Sequence, residues 1–393
     1  MIKILPVVAF VGLGAIFSVE ARTFTEEGLI YNVPIGFTWP PEDISNSHSS
    51  FLNLNSLTCG ANHCYGLGPS NEIWSVGADD SGQLARDNSV SNSLWAPTGL
   101  VADTVLAATN TGMAIKDGRL YVVGANFNGG LGLGHTNNQD HWVDTGVDVD
   151  YATTSGYASY YIKDGNLFAT GRGINGQFGN GSTDVTTTSW VDTGFDTDNI
   201  TAGVYSAYSL KNGTLWVTGG NNYGQLGHFN QTDQTVWADT GISASSVAAG
   251  KEHAYLIKEG TVWSTGHNNG GQLGLGTSGD VVLTWTNTGF SANEVKANFR
   301  LGAAVQGSRL FVVGGNENMG FIGQGSAGIV NTFTDTGFDV SSFTVGGMST
   351  HFKQASTGHI WAAGGNFLGE LGIGDNTMQT EFVDIDSTYN PNP

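Results

Sequence analysis

The chain has 393 residues, and its 34 Asp+Glu against 14 Lys+Arg give a net charge near −20. That charge repels phosphate backbones and anionic lipid, which excludes nucleic acid as a partner and leaves cations, basic protein patches and neutral sugars. Glycine is over-represented at 59 residues and charged residues make up only 12%; the acids are dispersed and form no tail, so solubility is their first role.

The N-terminus reads as a secretory signal over residues 1–21. Lys3 precedes an apolar run over residues 4–17, and Val19-Glu20-Ala21 fits a small-x-small cleavage site, so the mature chain starts at Arg22. The apolar run is short for a bilayer span; an uncleaved anchor is the alternative. Residues 22–50, with Trp39-Pro40-Pro41, form a lead-in segment without pattern. The two cysteines follow in Cys59-Gly60-Ala61-Asn62-His63-Cys64. In an exported chain they predict a disulfide closing a short loop. Two thiols and His63 fall short of the four ligands of a structural zinc site.

From residue 51 to 387 one unit recurs. Trp74, Tyr121, Phe168, Trp216, Trp263, Phe311 and Trp361 each stand three positions before a glycine, at Gly77, Gly124, Gly171, Gly219, Gly266, Gly314 and Gly364. The steps between those glycines are 47, 47, 48, 47, 48 and 50 residues. Within a unit a small-residue strand comes first, then an apolar strand. A turn such as Lys116-Asp117-Gly118 or Lys211-Asn212-Gly213 leads into the aromatic strand. Asp-Gly and Asn-Gly supply the positive φ of tight hairpin turns. A glycine-rich run and a last strand follow. That strand carries a second aromatic, from Trp95, Trp142, Trp190, Trp237 and Trp285 to Phe333 and Phe382. Four short strands per unit, met seven times without an amphipathic helix, predict an all-β, seven-bladed β-propeller. An open solenoid competes, but it would need polar caps. Residues 388–393 are a polar end.

The stretches over residues 247–258 and 262–276, ending Gly271-Gln272-Leu273-Gly274, resemble the RCC1 (regulator of chromosome condensation) repeat. The resemblance spans residues 51 to 385 and implies the propeller. RCC1-like propellers serve as nucleotide exchange factors, ubiquitin-ligase accessory domains and secreted inhibitors, so the likeness does not name an activity. This chain departs from the nuclear exchange factors in its export signal, its acidity and its lack of a basic tail. Those departures argue against a small-GTPase partner.

Most prominent residues then serve the fold. The repeated aromatics are expected to pack between blades, each worth several kcal/mol at roughly 25 cal/mol per Å² buried. The glycines lack the strand-to-helix context of a phosphate loop. Asp144, Asp192, Asp239 and Asp335 precede Thr-Gly and are read as turn formers, since equivalent carboxylates around a ring cannot converge on one calcium. His63 and His253, at equivalent places, and His351, close to the corresponding place in the last unit, are read as packing residues. No nucleophile motif, ligand spacing or paired carboxylates point to catalysis; no cofactor is expected.

What varies in place is the better candidate. Asn62, Thr111, Ala158, Tyr205, Glu252, Arg300 and Ser349 each follow the first strand by a similar step, and seven different residues there predict one exposed binding ring near a channel mouth. Sequons at Asn180, Asn199, Asn212 and Asn230 are possible N-glycosylation sites. The reading is a secreted, non-enzymatic, monomeric scaffold binding an extracellular protein or glycan. An acidic, cation-associated matrix component, an enzyme at the channel mouth and an exchange factor are the alternatives.

Overall fold

The structure, a computed structural model, describes residues 21–26, 29–34, 52–86, 91–183, 185–315, 320–325 and 328–389. The expected signal segment, residues 1–21, lies outside the described residues save Ala21, and so do Trp39 and the last four residues. Two units separate by chain contact, at Ser50 and Phe51. In the first, Ala21–Glu26 pairs antiparallel with Leu29–Pro34.

Among the described residues the second unit is all-β apart from a short helix, Asp386–Tyr389. It consists of seven four-stranded antiparallel blades, each made from one contiguous stretch of chain and paired in chain order. We call the strands a to d within each blade, outward from the axis. Blade 1 runs from Ser56–Cys59 to Asn92–Val101, blade 2 from Thr104–Ala108 to Gln139–Asp148 and blade 3 from Tyr151–Thr154 to Thr186–Asp196. Blade 4 runs from Thr201–Ala202 to Gln234–Ser243 and blade 5 from Ser246–Ala249 to Val282–Ser291. Blade 6 opens with Glu294–Asn298. Its outer strand, Val330–Val345, continues without a break as strand a of blade 7, which ends at Gln379–Asp384.

The local reasons match the residues. At the b–c turns Asp117, Asp164, Asn212 and Glu259 take φ of 51°, 49°, 53° and 52°, each followed by a glycine at positive φ. Asx turns stand where Asp precedes Thr-Gly: the Gly146 N–H donates to Asp144 Oδ1 at 2.8 Å, and Gly194, Gly241 and Gly337 repeat the bond to Asp192, Asp239 and Asp335. The strand-d aromatics lie on glycines of the preceding blade, Trp190 on Gly132, Trp237 on Gly179 and Trp285 on Gly227. Trp95 of blade 1 lies on Gly372 of blade 7, so the same contact closes the ring.

A pairing not foreseen from sequence holds the blades. Tyr65, Tyr160, Tyr208 and Tyr255, all fully buried on strand b, donate their hydroxyls to the backbone carbonyls of Gln83, Gln177, Gln225 and Gln272. Burial raises the phenol pKa of each, so the hydroxyls stay protonated donors. Blades 2, 6 and 7 carry Met113, Ala303 and His351 in the tyrosine's place, and in the glutamine's place Gly130, Phe321 and Glu370.

Strands a surround a channel of about 340 Å³, lined by small residues from every blade, from Thr58 in blade 1 to Thr344 in blade 7. Asn298 Nδ2 donates to Val345 O at 3.0 Å and Cys59 O at 3.4 Å, tying blades 6, 7 and 1 together.

Candidate binding face at the channel mouth

The two ends of the ring differ in chemistry because different connections reach them. One end collects the b–c turns and the d–a connections. It is a field of exposed ion pairs: Arg119–Asp144 at 3.0 Å, Lys163–Asp150 at 2.9 Å, Lys211–Asp196 at 2.8 Å and Arg309–Asp335 at 2.9 Å. Such pairs contribute little to stability. The other end collects the a–b turns and the glycine-rich c–d loops.

At that second end one hydrogen bond recurs in every blade. The residue before strand b offers its carbonyl to the N–H that follows the blade glycine. The acceptors are Asn62, Asn110, Tyr157, Tyr205, Glu252, Arg300 and Met348, at 2.7 to 3.4 Å. This bond defines the equivalent ring, and it corrects the sequence reading at three blades. Thr111, Ala158 and Ser349 are not in the ring. They are the first residues of strand b, paired to Gly124, Gly171 and Gly364, and are buried at 2%, 1% and 1% exposure. Asn110, Tyr157 and Met348 hold the ring position in their blades. Of the sequence candidates, the structure brings Asn62, Tyr205, Glu252 and Arg300 to the mouth, Arg300 exposed and the other three part-buried.

Tyr157 and Tyr205 sit on adjacent blades with rings 6.4 Å apart and nearly parallel. Phe127 meets Tyr157 edge-on at 6.5 Å. Further round, Tyr223 lies 4.6 Å from the His267 ring, and His267 Nδ1 lies 3.1 Å from Glu252 Oε2, which Lys251 also reaches through Oε1 at 3.3 Å. Phe127, Ile174, Tyr223, Met348, Phe367 and Leu368 are all exposed large apolar residues of this end. Met348 apart, they occupy the third or fourth place after the blade glycine. Sequence reasoning passed over them because it assigned the whole glycine-rich run to the fold. The variable residues between the fixed glycines were the available signal.

The strand-b histidines are buried, and two of them are equivalent. His63 and His253 both open strand b, each meeting the next tyrosine edge-on at 5.0 and 5.1 Å. His351 is two residues further along its strand, in the tyrosine's place. Burial lowers all three to about 4, so they are neutral imidazoles at pH 7.

Cys59 and Cys64 are joined in a disulfide between directly paired positions of strands a and b. His351 Nδ1 lies 3.5 Å from Cys59 Sγ. With the sulfurs bonded to each other, that cluster offers a metal one imidazole and no thiolate. In the channel, Lys296 Nζ donates to Phe343 O at 2.6 Å and pairs with Glu294, leaving hydroxyls and carbonyls as the main lining groups. The sequon residues Asn180, Asn199, Asn212 and Asn230 are all exposed.

No family model matches the chain, and no curated protein does. Solved structures do. Yeast RCC1 (Prp20), determined bound to Kap60, superposes with a TM-score of 0.67 at 18% identity over 74% of this chain and 78% of that one. The fold is that of an RCC1-like β-propeller. A second structure of the Saccharomyces cerevisiae protein, described with its binding to Gsp1p and histones, gives 0.66 at 17% identity over 74% and 80%. Human WBSCR16 gives 0.54 at 15% identity over 84% and 82%. At these identities the RCC1-like likeness concerns the fold alone.

Proposed function

We propose that this RCC1-like propeller is a secreted, non-enzymatic recognition scaffold that takes a protein or glycan partner on its channel-mouth face. The observation that carries the reading is the collection of aromatic and aliphatic side chains at one end of the ring. Phe127 and Tyr223 are exposed, Tyr157 and Tyr205 are part-buried, and together they span blades 2 to 4, while the opposite end carries ion pairs. Aromatic anchors with a charged neighbour such as Glu252 or Arg300 are what recognition surfaces enrich. An apolar face of this kind costs solubility unless a partner covers it.

Capture of partners from the native extracellular fluid tests this, with wild-type protein beside Phe127→Ser/Tyr205→Ala. The double variant should lose the captured species and keep its melting temperature within about 2 °C, because Phe127 is exposed and Tyr205 only part-buried, outside the blade cores. A control, Asp196→Ala, alters only the charged end and should capture as wild type does. Equal capture by the double variant would remove this face from the function.

A further inference from the structure

Phe229 breaks the repeat against its own backbone. In the glycine-rich loops of blades 2, 3, 5, 6 and 7, Gly134, Gly181, Gly276, Gly325 and Gly374 take φ from 71° to 85° and bond to strand d of the next blade. Blade 4 puts Phe229 there. It makes the same bond, its N–H donating to Leu283 O at 2.9 Å, and it takes φ of 62°. A bulky residue in the left-handed region is strained, with nothing returned by burial when the side chain is 82% exposed.

Beside it lies a groove of about 220 Å³ between the outer strands of blades 4 and 5, with Phe229, His228, Ile242, Trp285 and Asp239 in its walls. That volume is below the roughly 300–1,000 Å³ of pockets for whole small molecules and suits one long side chain. Asp239 supplies the charge. Its counterparts in blades 2 and 6 are neutralised by Arg119 and Arg309 at 3.0 and 2.9 Å. In blade 4 the arginine's place is held by Thr214, and Asp239 makes no ion pair among the described residues. Oδ1 is held by the Gly241 N–H at 2.8 Å, which fixes the carboxylate at the groove. His228 adds a buried Nε2 without a partner.

We infer that this groove seats an arginine side chain of a partner protein. A planar guanidinium lies against aromatic faces while its fork bonds a carboxylate, and the groove offers both within one side chain's reach. The site is on the outer rim, apart from the channel-mouth face, and stands whether or not that face binds anything.

Calorimetric titration with the tripeptide acetyl-Gly-Arg-Gly-amide tests it, with the citrulline analogue as the neutral isostere. Wild type should bind the arginine peptide saturably and the citrulline peptide about tenfold more weakly or not at all. Asp239→Asn should lose about tenfold in affinity. Phe229→Gly restores the residue of the other blades; it should melt no lower than wild type and bind about tenfold more weakly. Absence of saturable binding to wild type, equal binding of citrulline, or undiminished binding by Asp239→Asn would each overturn the proposal.

Discussion

Asp386 Oδ1 accepts the backbone N–H of Leu52 at 2.6 Å across 334 positions of sequence. Its other oxygen takes the Ile360 N–H at 2.8 Å. One fully buried carboxylate thus joins the chain at the start of the ring to strand c of blade 7. Lys353 Nζ adds a bond to Leu54 O at 2.9 Å.

Asp386→Ala should therefore destabilise the propeller by about 3 kcal/mol, since it strands two buried N–H groups that a charged acceptor had satisfied. Urea unfolding checks this. The midpoint should fall with little change in the slope, and an unchanged midpoint would mean the ring closes without this clasp.

Glu370 stands where blades 1, 3, 4 and 5 have glutamine. Its Oε2 accepts the Leu368 N–H at 2.9 Å, as glutamine Oε1 does at Ser81, Asn175, Tyr223 and Gly270. Its Oε1 is buried and unpartnered, in the place of the glutamine amide. Desolvation raises the carboxyl pKa above 4.5, so the folded state holds the proton longer than the unfolded chain. By linkage the stability is complete below about 4.5 and is lost as pH rises through the folded value. Glu370→Gln should gain about 1–2 kcal/mol at pH 7 and gain nothing at pH 4. Thermal melts at the two pH values distinguish this from a pH-independent packing effect.

The buried histidines run the other way. Folded values of about 4 for His63, His253 and His351 lie below the ordinary 6.5, so the unfolded state takes up protons first. Stability is complete above 6.5 and falls as pH drops toward 4, by on the order of 2–3 kcal/mol for each histidine. Denaturant midpoints measured from pH 7.5 to 4 should drop steadily; a flat profile would contradict their burial as neutral rings.

Ala85 sits in blade 1 where the later blades have Gly132, Gly179, Gly227, Gly274, Gly323 and Gly372, and it is forced to φ of 57°. Ala85→Gly should stabilise by about 1 kcal/mol by relieving that backbone. Differential scanning calorimetry would register a rise of about 2 °C in the melting temperature.

The blades were legible because each local signal had its own mechanism. Lys-Asp-Gly demanded a hairpin turn, Asp-Thr-Gly an Asx turn, and the aromatic spacing fixed strand c. The ring at the mouth was only partly legible. Counting two residues on from a glycine works at Gly60, Gly203 and Gly250. In blades 3 and 7 it lands one residue late when counted from Gly156 and Gly347, whose places are one further along the turn; the equivalent residues are Ser155 and Gly346, and in blade 2 Ala108. The reliable landmark is the partner of the blade glycine across strands b and c, and sequence does not display pairing. The Tyr–Gln bond was hidden for the same reason: Tyr65 and Gln83 are 18 residues apart and meet only once the blade has folded.

Because each blade is cut from a single stretch of chain, no strand is exchanged when the circle shuts. Gaining or losing one unit of about 48 residues would leave every other sheet whole. The exception is Val330–Val345, shared between blades 6 and 7, where a cut would sever two sheets at once.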